Sequence, residues 1–506
     1  MREDRITESS GCRFSPVKRT ALQKGDLAMS EKMWKLRNFV NGEFSDVSDH
    51  FEITNPANGD LLGTAPLSGQ TEADRAVEAA RQAKKEWALK PAVERAAFLH
   101  EIAAGIRKRQ DEIADVIVRE QGKIPSLAKV EAGFTADYMD YMAEWARRIE
   151  GEVIASDRPG EHILLLRKPV GVVAGILPWN FPFFLIARKM APALVTGNTV
   201  VVKPSKETPI NCGIFAEIVS QTKLPAGVFN VVYGNGSFGS LLSRHPKINM
   251  VSFTGSVETG EKIMAAAAPN ITKVNLELGG KAPAIVLADA DLDLAVKAIK
   301  DSRIINSGQV CNCAERVYVE KSVADEFTEK MKQAMEAVTV GDPSAHPDID
   351  MGPVINEGAL HKIQDKVNLA VKEGAYIAAG GQIEDLGNHG FYFQPTVISG
   401  CGADMDIMRK EIFGPVLPIQ TVDSLDEAIE LSNDSEYGLT SSIYTKSLSK
   451  AMYAIDRIDF GETYINRENF EAMQGFHAGT RKSGIGGADG KHGLYEYTHT
   501  HVVYIE

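Results

Sequence analysis

Gly171-Val172-Val173-Ala174-Gly175-Ile176-Leu177 is the first of four apolar runs that decide the fold class of this chain. Helix-patterned segments separate the runs. Val- and Ile-rich runs without polar alternation are typical of strands buried on both faces of a parallel sheet. Strand–helix–strand repetition at this spacing predicts a doubly wound, Rossmann-type dinucleotide-binding domain. The other three runs are NTVVVK (198–203), FNVVYG (229–234) and MVSFTG (250–255).

The residues that follow each run are candidate ligand contacts, because such sheets bind ligands at the carboxyl ends of their strands. Gly234-x-Gly236-x-x-Gly239 matches the dinucleotide fingerprint, but it does not occupy the first strand–helix turn of the unit. We interpret it as a tight turn near the adenine end. Gly255-Ser256 is the better phosphate site, because the free N–H groups at a helix start favour an anion. The first turn is instead PWNFP (178–182).

Cys311 lies on a glycine-containing turn between a helix-patterned run and a strand-like run. A cysteine in this position is well placed to act as a nucleophile, because its sulfur can project into a cleft and nearby backbone N–H groups can lower the thiol pKa. The other interpretation of a free cysteine is a small core hydrophobe. The turn is NSGQVCNC (306–313), preceded by LAVKAIKDSRII (294–305) and followed by RVYVE (316–320).

Glu277 is flanked by Leu276 and Leu278 and followed by a glycine pair. Burial in this apolar setting raises the pKa of a carboxyl and keeps it available as a proton acceptor. A salt-bridged structural acid is the alternative that the run leaves open.

The composition is that of an ordinary globular protein. The chain has 506 residues, room for about three domains. A net charge of −13 without a long basic run argues against nucleic acid and anionic membranes as partners. No apolar run reaches the ~18–20 residues of a membrane span. The five cysteines are too few for a disulfide framework, which favours a reducing cytoplasm, and the Cys311-x-Cys313 spacing has no second pair, so we predict no metal site.

We expect the chain to be divided into four regions. Residues 31–150 and 171–280 form the dinucleotide-binding domain, and residues 281–478 form a second α/β domain that carries the catalytic cysteine. Residues 151–170 and 479–506 form a small β element for oligomerisation. Residues 1–30 lack the apolar core of a secretory signal, and we expect a disordered or loosely docked extension, with Met29 and Met33 as alternative starts.

Three local patterns carry further structural expectations. Thr71 with Asp74 three residues later predicts a helix N-terminus. The Gly-rich stretch SGIGGADGKHG (483–493) predicts a flexible crossing. The terminal strand HVVYIE (501–506) needs a partner edge, which we expect from another subunit of a homo-oligomer, a dimer or a tetramer.

Six motifs in this order resemble the NAD(P)-dependent aldehyde dehydrogenase superfamily. The resemblance covers nearly the whole chain from about Asn38 onward and implies the fold of that family. It implies oxidation of an aldehyde to a free acid, because CoA-acylating relatives lack a base at the position of Glu277. The motifs are PWNFP (178–182), VVKPS (201–205), FTGSVETG (253–260), LELGGK (276–281), GQVC (308–311) and EIFGPV (411–416).

The resemblance implies three catalytic residues. Cys311 matches the nucleophile, which forms a thiohemiacetal and then a thioester. Asn180 matches the oxyanion-hole amide, typically worth ~3–4 kcal/mol of barrier. Glu277 matches the general base that activates water.

The resemblance also implies NAD as cofactor. Many NAD-preferring members carry an acid three residues after the equivalent of Lys203, and this chain has Lys206 there, with Glu207 displaced by one. Lysine does not repel a 2′-phosphate, so NADP use is open as well. The implied cofactor contacts are Leu177, Pro178, Trp179, Lys203, Ser205, Lys206, Gly236, Thr254, Gly255, Ser256, Leu278, Glu411 and Phe413.

Within the family, the strings 179–194, 305–319 and 464–479 resemble members that oxidise lactaldehyde or glycolaldehyde. The expected pocket is polar, and its groups could bind the 2-hydroxyl of a small hydroxyaldehyde. Each also has an ordinary structural interpretation, such as an ion pair for Arg188. Succinate semialdehyde, an amino-aldehyde such as betaine aldehyde, and a non-catalytic role are the alternatives. The predicted substrate contacts are Asn180, Arg188, Asn312, Glu471 and His477.

Overall fold

The computed structural model describes residues 33–506, in which strands and helices alternate along most of the chain. The strands are β1 (Trp34–Lys35), β2 (Asn38–Val40), β3 (Glu43–Ser45), β4 (His50–Thr54), β5 (Leu61–Pro66), β6 (Glu152–Ala155), β7 (His162–Pro169), β8 (Val172–Ile176), β9 (Thr199–Lys203), β10 (Phe229–Val231), β11 (Met250–Thr254), β12 (Lys273–Glu277), β13 (Pro283–Val286), β14 (Arg316–Glu320), β15 (Tyr376–Ala379), β16 (Ile383–Glu384), β17 (Tyr392–Phe393), β18 (Thr396–Ser399), β19 (Val416–Val422), β20 (Tyr437–Gly438), β21 (Thr440–Tyr444), β22 (Glu462–Ile465), β23 (Thr480–Arg481), β24 (Gly484–Ile485) and β25 (Thr498–Ile505). The α-helices are α1 (Gln70–Leu89), α2 (Ala92–Lys108), α3 (Gln110–Gln121), α4 (Pro125–Glu144), α5 (Phe184–Thr196), α6 (Ile210–Ser220), α7 (Gly236–Ser243), α8 (Val257–Ala267), α9 (Leu292–Ile304), α10 (Ala324–Glu336), α11 (Glu357–Lys372), α12 (Asp406–Arg409), α13 (Leu425–Asn433), α14 (Leu448–Ile455) and α15 (Gly490–Glu496).

The first large sheet is built from the four apolar runs. Its order is β24-β12-β11-β8-β9-β10-β2-β3, and the five strands from β12 to β10 are mutually parallel. Successive residues of β8 point to opposite faces, so Val172 and Val173 join different hydrophobic clusters. Helices cover both faces, which confirms the predicted doubly wound sheet. The carboxyl ends of the parallel strands therefore lie at one edge of the sheet.

The second large sheet has the order β15-β18-β19-β14-β13-β21-β22. Six of its strands are parallel, and β15 pairs antiparallel at one end. The helices α9 and α10 bury their apolar sides with Ala284 and Val286 on one face. On the other face, α11, α13 and α14 pack in the cluster that contains Ile285. The mixed α/β fold class predicted from the sequence is confirmed.

A small sheet of order β25-β7-β6 joins the chain's C-terminus to residues 152–169. Its terminal strand pairs antiparallel with β7 over its whole length, from Thr498 opposite Pro169 to Ile505 opposite His162. The expectation that this strand finds its partner edge in another subunit is therefore wrong for this edge. The sheet closes within one chain, because eight consecutive residues of β25 find partners on β7.

Two local expectations need correction. The helix α1 begins at Gln70, and Gly69 rather than Thr71 is its N-cap, because the Glu72 carboxylate accepts the backbone N–H of Gly69 at 2.8 Å. The stretch 483–493 contains regular structure instead of a flexible crossing. It holds β24, which extends the first sheet beside β12, and the first residues of α15.

The expected extension over residues 1–30 lies outside the described residues. Within the described range 33–506, no helix combines the length and the apolar character needed to cross a bilayer.

The turn that presents Cys311 has three consecutive residues in the left-handed region. Asn306, Ser307 and Gly308 have φ angles of 49°, 57° and 74°. All three are buried, and their side chains or carbonyls are hydrogen-bonded: Ser307 Oγ donates to the carbonyl of Gly352 at 2.8 Å, and the carbonyl of Gly308 accepts from Arg303. Surrounding contacts therefore hold a backbone conformation that L-residues rarely adopt.

Replacing Gly308 by alanine is expected to destabilise the protein strongly. A Cβ at this position would overlap the carbonyl oxygen of Gly414 as well as face an unfavourable φ. Gly160→Ala is the matched control, since Gly160 has φ +86° with open space around its Cβ. We expect a loss of about 1 kcal/mol for the control and at least about 2 kcal/mol more for Gly308→Ala. Urea unfolding followed by circular dichroism measures both, and equal losses would contradict the overlap.

Candidate active site

A cavity of about 230 Å³ contains the three predicted catalytic side chains. Glu277 ends β12 of the first sheet, and Asn180 lies on the loop between β8 and α5. Cys311 comes from the turn between α9 and β14 of the second sheet. All three line the same cavity, so the structure brings together groups that are up to 131 residues apart, as between Asn180 and Cys311 (311 − 180).

Cys311 and Cys313 differ sharply in their surroundings. Cys311 is partly exposed and lines the cavity. Cys313 is buried, its thiol donates to the carbonyl of Val310 at 2.9 Å, and burial raises its pKa to about 12. Since a thiolate is the nucleophilic form of cysteine, Cys311 and not Cys313 is suited to attack a bound molecule.

The predicted substrate contacts Arg188, Asn312, Glu471 and His477 line this same cavity. Arg188 donates from Nε to Asp489 at 3.0 Å, and its Nη2 donates to both Asp489 and Glu471. Asn312 donates to the other carboxylate oxygen of Glu471. The four side chains thus form one polar wall of the cavity that Cys311 also lines, and Asp489 lies behind Arg188.

His477 lines the cavity together with Cys311. Its Nδ1 lies 2.5 Å from Glu462 and its Nε2 lies 3.6 Å from Glu277. Burial and the Arg188 charge oppose protonation, but the Glu462 carboxylate and the Cys311 sulfur outweigh them and raise the pKa of His477 well above its ordinary value. The ring is therefore held between two carboxylates at the cavity wall.

Neither carboxylate oxygen of Glu277 accepts a hydrogen bond from the described residues. Burial raises the pKa of Glu277 to about 7, although the charges of His477 and Lys189 act in the opposite direction. Lys189 is buried as well, without a hydrogen-bond partner among the described residues, and burial lowers its pKa to about 8. A carboxylate in this state can accept a proton near neutral pH.

The loop that carries Asn180 is held by a buried ion pair. Lys123 Nζ lies 2.5 Å from Glu131 and donates to the backbone carbonyl of Asn180 at 2.7 Å. The other oxygen of Glu131 accepts the backbone N–H groups of Phe183 and Phe184 at the start of α5. Both charged side chains are fully buried, so the pair fixes this loop against α4.

The Cys311 turn is tied to the same loop. Asn306 Nδ2 donates to the carbonyl of Asn180 at 3.1 Å, and Asn180 Nδ2 donates to the carbonyl of Gln309 at 3.0 Å. A Cβ on Gly280 would lie 2.7 Å from the carbonyl oxygen of Cys311, so the glycine pair after Glu277 permits close approach. Side-chain-to-backbone hydrogen bonds and one close backbone approach therefore connect the segments that carry the three predicted catalytic side chains.

The predicted cofactor contacts follow the carboxyl ends of the parallel strands. Leu177, Pro178 and Trp179 follow β8, and Lys203, Ser205 and Lys206 lie at and beyond the end of β9. Gly236 begins α7 after β10, and Thr254, Gly255 and Ser256 lead from β11 into α8, where Ser256 is the N-cap. Leu278 follows β12. All of these residues therefore border one edge of the first sheet.

Glu411 and Phe413 reach this edge from the second sheet. Glu411 accepts the backbone N–H of Gly280 at 2.8 Å, and burial together with the Glu315 charge raises its pKa to about 7. Phe413 has φ 56° and packs edge-on against Trp179 at a centroid distance of 5.7 Å. The buried Glu315 accepts the backbone N–H of Phe413, which holds this strained loop.

Several features of the site fit a dinucleotide. Thr254 has a buried hydroxyl without a partner among the described residues, and a Cβ on Gly236 would meet open space. Burial and the Lys206 charge lower the pKa of Lys203 to about 8. Lys206 is largely exposed, with its Nζ 3.6 Å from Glu207. Within residues 33–506, no cluster of His, Cys, Asp and Glu is suited to hold a metal ion.

Comparison with known proteins identifies the family. The model of the aldehyde dehydrogenase family matches residues 44–503. The chain is 60% identical over 456 residues to lactaldehyde dehydrogenase of Escherichia coli (strain K12), which covers 90% of this chain and 95% of that protein. The chain belongs to the aldehyde dehydrogenase family. The resemblance seen in the six sequence motifs is thereby confirmed.

Solved structures agree with this family. A crystal structure of lactaldehyde dehydrogenase from Escherichia coli has a TM-score of 0.92 and 58% identity, covering 93% of this chain and 99% of that chain. A 3,6-anhydro-L-galactose dehydrogenase in complex with NAP has a TM-score of 0.90 and 41% identity, covering 93% and 100%. A betaine aldehyde dehydrogenase from Staphylococcus aureus in complex with NAD+ has a TM-score of 0.90 and 34% identity, covering 92% and 94%.

Sequence reasoning missed most of the charged residues behind the cavity wall. One signal was present: α5 is an apolar helix interrupted by the adjacent cations Arg188 and Lys189, which require buried partners. Asp489 was missed because it lies in the Gly-rich stretch 483–493, which the sequence pattern predicted to be a flexible crossing. The other residues that gave no local signal are Lys123, Glu131, Glu315 and Glu462.

Removal of the buried Lys123 charge is expected to lower kcat more than it raises KM. In Lys123→Met, the Asn180 carbonyl loses a donor, and displacement of the Asn180 amide by about 1 Å costs on the order of a hundredfold in rate. Stability also falls by about 3–5 kcal/mol, because Glu131 is left buried and unpaired. Steady-state kinetics and urea unfolding measure the two effects.

A double variant separates positioning from stability. Lys123→Met with Glu131→Gln removes both charges and is expected to recover much of the stability while kcat stays low. Lys129→Met, which removes an exposed ion pair with Asp111, serves as the neutral control. Wild-type kcat in the double variant would show that the pair does not position Asn180.

Proposed function

We propose that this aldehyde dehydrogenase oxidises a small 2-hydroxyaldehyde, lactaldehyde or glycolaldehyde, to its free carboxylic acid with NAD or NADP. The substrate assignment rests on the polar side chains that line the cavity together with Cys311, namely Arg188, Asn312, Glu471 and His477. A site whose buried polar groups are matched by a substrate hydroxyl penalises the analogue that lacks it. The 60% identity to a lactaldehyde dehydrogenase supports this substrate.

Cys311 acts as the nucleophile in this proposal. Its thiolate attacks the aldehyde carbon and forms a thiohemiacetal. His477, whose Nδ1 is paired with Glu462, lines the same cavity as the sulfur. The tie between the Cys311 turn and the Asn180 loop holds the sulfur at a constant place in the cavity.

Asn180 stabilises the charge that develops on the aldehyde oxygen. One Nδ2 hydrogen is committed to the carbonyl of Gln309, which orients the amide and leaves its second N–H to donate. A preorganised donor of this kind is typically worth ~3–4 kcal/mol of barrier. The Lys123–Glu131 pair provides the rigidity that preorganisation requires.

A bound dinucleotide supplies the hydride acceptor for the oxidation. The residues at the edge of the first sheet would hold it, with Ser256 and the N-terminus of α8 near the phosphates. Lys203 and Glu411 are suited to the ribose hydroxyls, and Phe413 to the nicotinamide side. Lys206 is exposed and cationic, so the site accepts a 2′-phosphate as well as a 2′-hydroxyl.

Glu277 acts as the general base that releases the acid. Its carboxylate accepts a proton from the water that attacks the thioester on Cys311. The absence of a hydrogen-bond partner among the described residues leaves both of its oxygens able to bind that water. Hydrolysis yields a free acid, so the proposed enzyme is non-acylating.

The small sheet β25-β7-β6 is the proposed oligomerisation element of a dimer or tetramer. One of its faces exposes Ile154, Val502 and Tyr504. Apolar side chains at the surface of a small sheet are typical of a subunit contact. The division into a cofactor region (31–150 and 171–280) and a catalytic region (281–478) follows the two large sheets, with β24 as an addition to the first.

Comparison of lactaldehyde with propanal tests the substrate assignment. Because Glu471 and His477 pair with the 2-hydroxyl, we expect kcat/KM for lactaldehyde to exceed that for propanal on the order of a hundredfold. Glu471→Gln should lower this ratio, whereas Phe134→Leu, a change in the apolar lining, should leave it in place. NAD(P)H absorbance measures both rates. Equal efficiencies in the wild type would refute hydroxyl recognition.

The rate of acid release should follow the titration of Glu277. Its pKa is raised to about 7, so the carboxylate that accepts the proton is populated above that pH and lost below it. We expect the rate constant for thioester hydrolysis to rise from about pH 5.5 and level off above about 8, measured by rapid quench. Glu277→Gln should retain a burst of NAD(P)H and slow the following turnover by roughly 10²–10⁴. A flat profile in the wild type would exclude Glu277 as the base.

A further inference from the structure

We propose that Asp489, a positioning residue, acts with Glu471 to neutralise Arg188, so that the site excludes aldehydes that carry a carboxylate or sulfonate. The inference rests on the proposed function, in that the cavity beside Cys311 binds the aldehyde. It explains why a cavity with an arginine in its wall binds a neutral hydroxyaldehyde rather than an anionic aldehyde.

The Arg188 guanidinium is committed to two carboxylates. Its Nε and Nη2 donate to the two oxygens of Asp489, and Nη2 also donates to Glu471 at 3.3 Å. The side chain of Arg188 is 5% exposed and that of Asp489 is 2% exposed. A buried pair in this fork geometry is retained, because breaking it leaves an uncompensated charge.

The backbone holds Asp489 in this position. Asp489 has φ 70°, and the next residue, Gly490, has φ 54° and donates its N–H to the carbonyl of Met473 at 3.0 Å. A Cβ on Gly490 would overlap the carbonyl oxygen of Gly475. The backbone of the turn at Asp489 is therefore packed against the loop that carries Glu471.

The remaining cation in the cavity wall is neutralised too. His477 pairs with Glu462 at 2.5 Å and lies 3.6 Å from Glu277. Lys189 does not line the cavity. Glu471 completes its hydrogen bonds with Asn312. The substrate end therefore holds at least as many carboxylates as cations.

A charged substrate would have to lose its hydration without gaining a free cation. Burial of an unpaired carboxylate is costly, and the nearby Asp489 and Glu471 add like-charge repulsion. A substrate hydroxyl, by contrast, can donate a hydrogen bond to Glu471 without disturbing the ion pairs. The paired wall thus favours neutral, hydroxylated aldehydes.

Asp489→Asn tests the inference by removing one charge with little change in shape. We measure kcat and KM for glycolaldehyde and for succinate semialdehyde in the wild type and the variant. The wild type should prefer glycolaldehyde. In Asp489→Asn, Arg188 gains a free charge, and the ratio of kcat/KM for succinate semialdehyde to that for glycolaldehyde should rise about tenfold or more, mainly through a lower KM for the anion.

Matched variants separate the release of Arg188 from a general loss of negative charge. Asp301→Asn also removes a carboxylate from the cavity lining, but it pairs with Lys297 and Lys300 rather than Arg188, so its ratio should stay within about twofold of the wild type. The double variant Asp489→Asn with Arg188→Met should show no rise in the ratio of kcat/KM for succinate semialdehyde to that for glycolaldehyde. If Asp489→Asn does not fold, as judged by circular dichroism, Glu471→Gln removes the other carboxylate from Arg188. Because this variant also loses the proposed hydroxyl contact, its ratio is taken against propanal, and the kcat/KM for succinate semialdehyde relative to that for propanal should rise.

Two results would overturn the inference. One is a wild type that prefers succinate semialdehyde, and the other is a folded Asp489→Asn or Glu471→Gln whose ratio does not rise. Failure of the proposed function is distinguishable, because it shows as equal wild-type efficiencies for lactaldehyde and propanal. In that case propanal replaces glycolaldehyde as the neutral reference, and the ratio still tests Asp489.

Discussion

The site depends on the contact between two loops that come from different sheets. The Asn180 loop follows β8, and the Cys311 turn precedes β14. They exchange hydrogen bonds through Asn306, the carbonyl of Asn180 and the carbonyl of Gln309. Lys123 donates to the same Asn180 carbonyl. This one oxygen therefore accepts hydrogen bonds both from Asn306 of the Cys311 turn and from the buried ion pair. A shift of either sheet would move Cys311 and Asn180 relative to each other.

Desolvation sets the chemistry once this contact is in place. Burial raises the pKa of Glu277 and Glu411 and lowers the pKa of Lys189 and Lys203, and nearby opposite charges limit the shifts of Glu277, Glu411 and Lys189. The resulting pKa values of about 7 for the acids and about 8 for the lysines lie close to neutrality. A group near its pKa can both take up and release a proton, which suits a cycle that forms and then hydrolyses a covalent intermediate.

The parts of the site that depend on local pattern could be predicted from the sequence. Continuous apolar runs indicated the strands, and the residues after them indicated the cofactor edge, since strand ends in a parallel sheet share one edge. The Cys311 turn was visible because glycine and polar residues separate a helix pattern from a strand pattern. Lys123, Glu131 and Asp489 could not be found in this way. Asp489 is recognised only through Arg188, 301 residues away in sequence. The Lys123–Glu131 pair is recognised only through the Asn180 carbonyl, 57 residues from Lys123.

The edge strand β25 shows a second limit of prediction from the sequence. Its strand pattern correctly predicted that it pairs with another strand. The pattern does not indicate which chain supplies that strand, because backbone hydrogen bonds are the same within and between subunits. Proximity decides the choice here: α15 returns the chain beside Pro169, and Val170 donates its N–H to the carbonyl of Tyr497 just before the pairing begins. The same return brings Asp489 under Arg188. The C-terminal segment therefore pairs with β7 and places Asp489 against Arg188 in one pass of the chain.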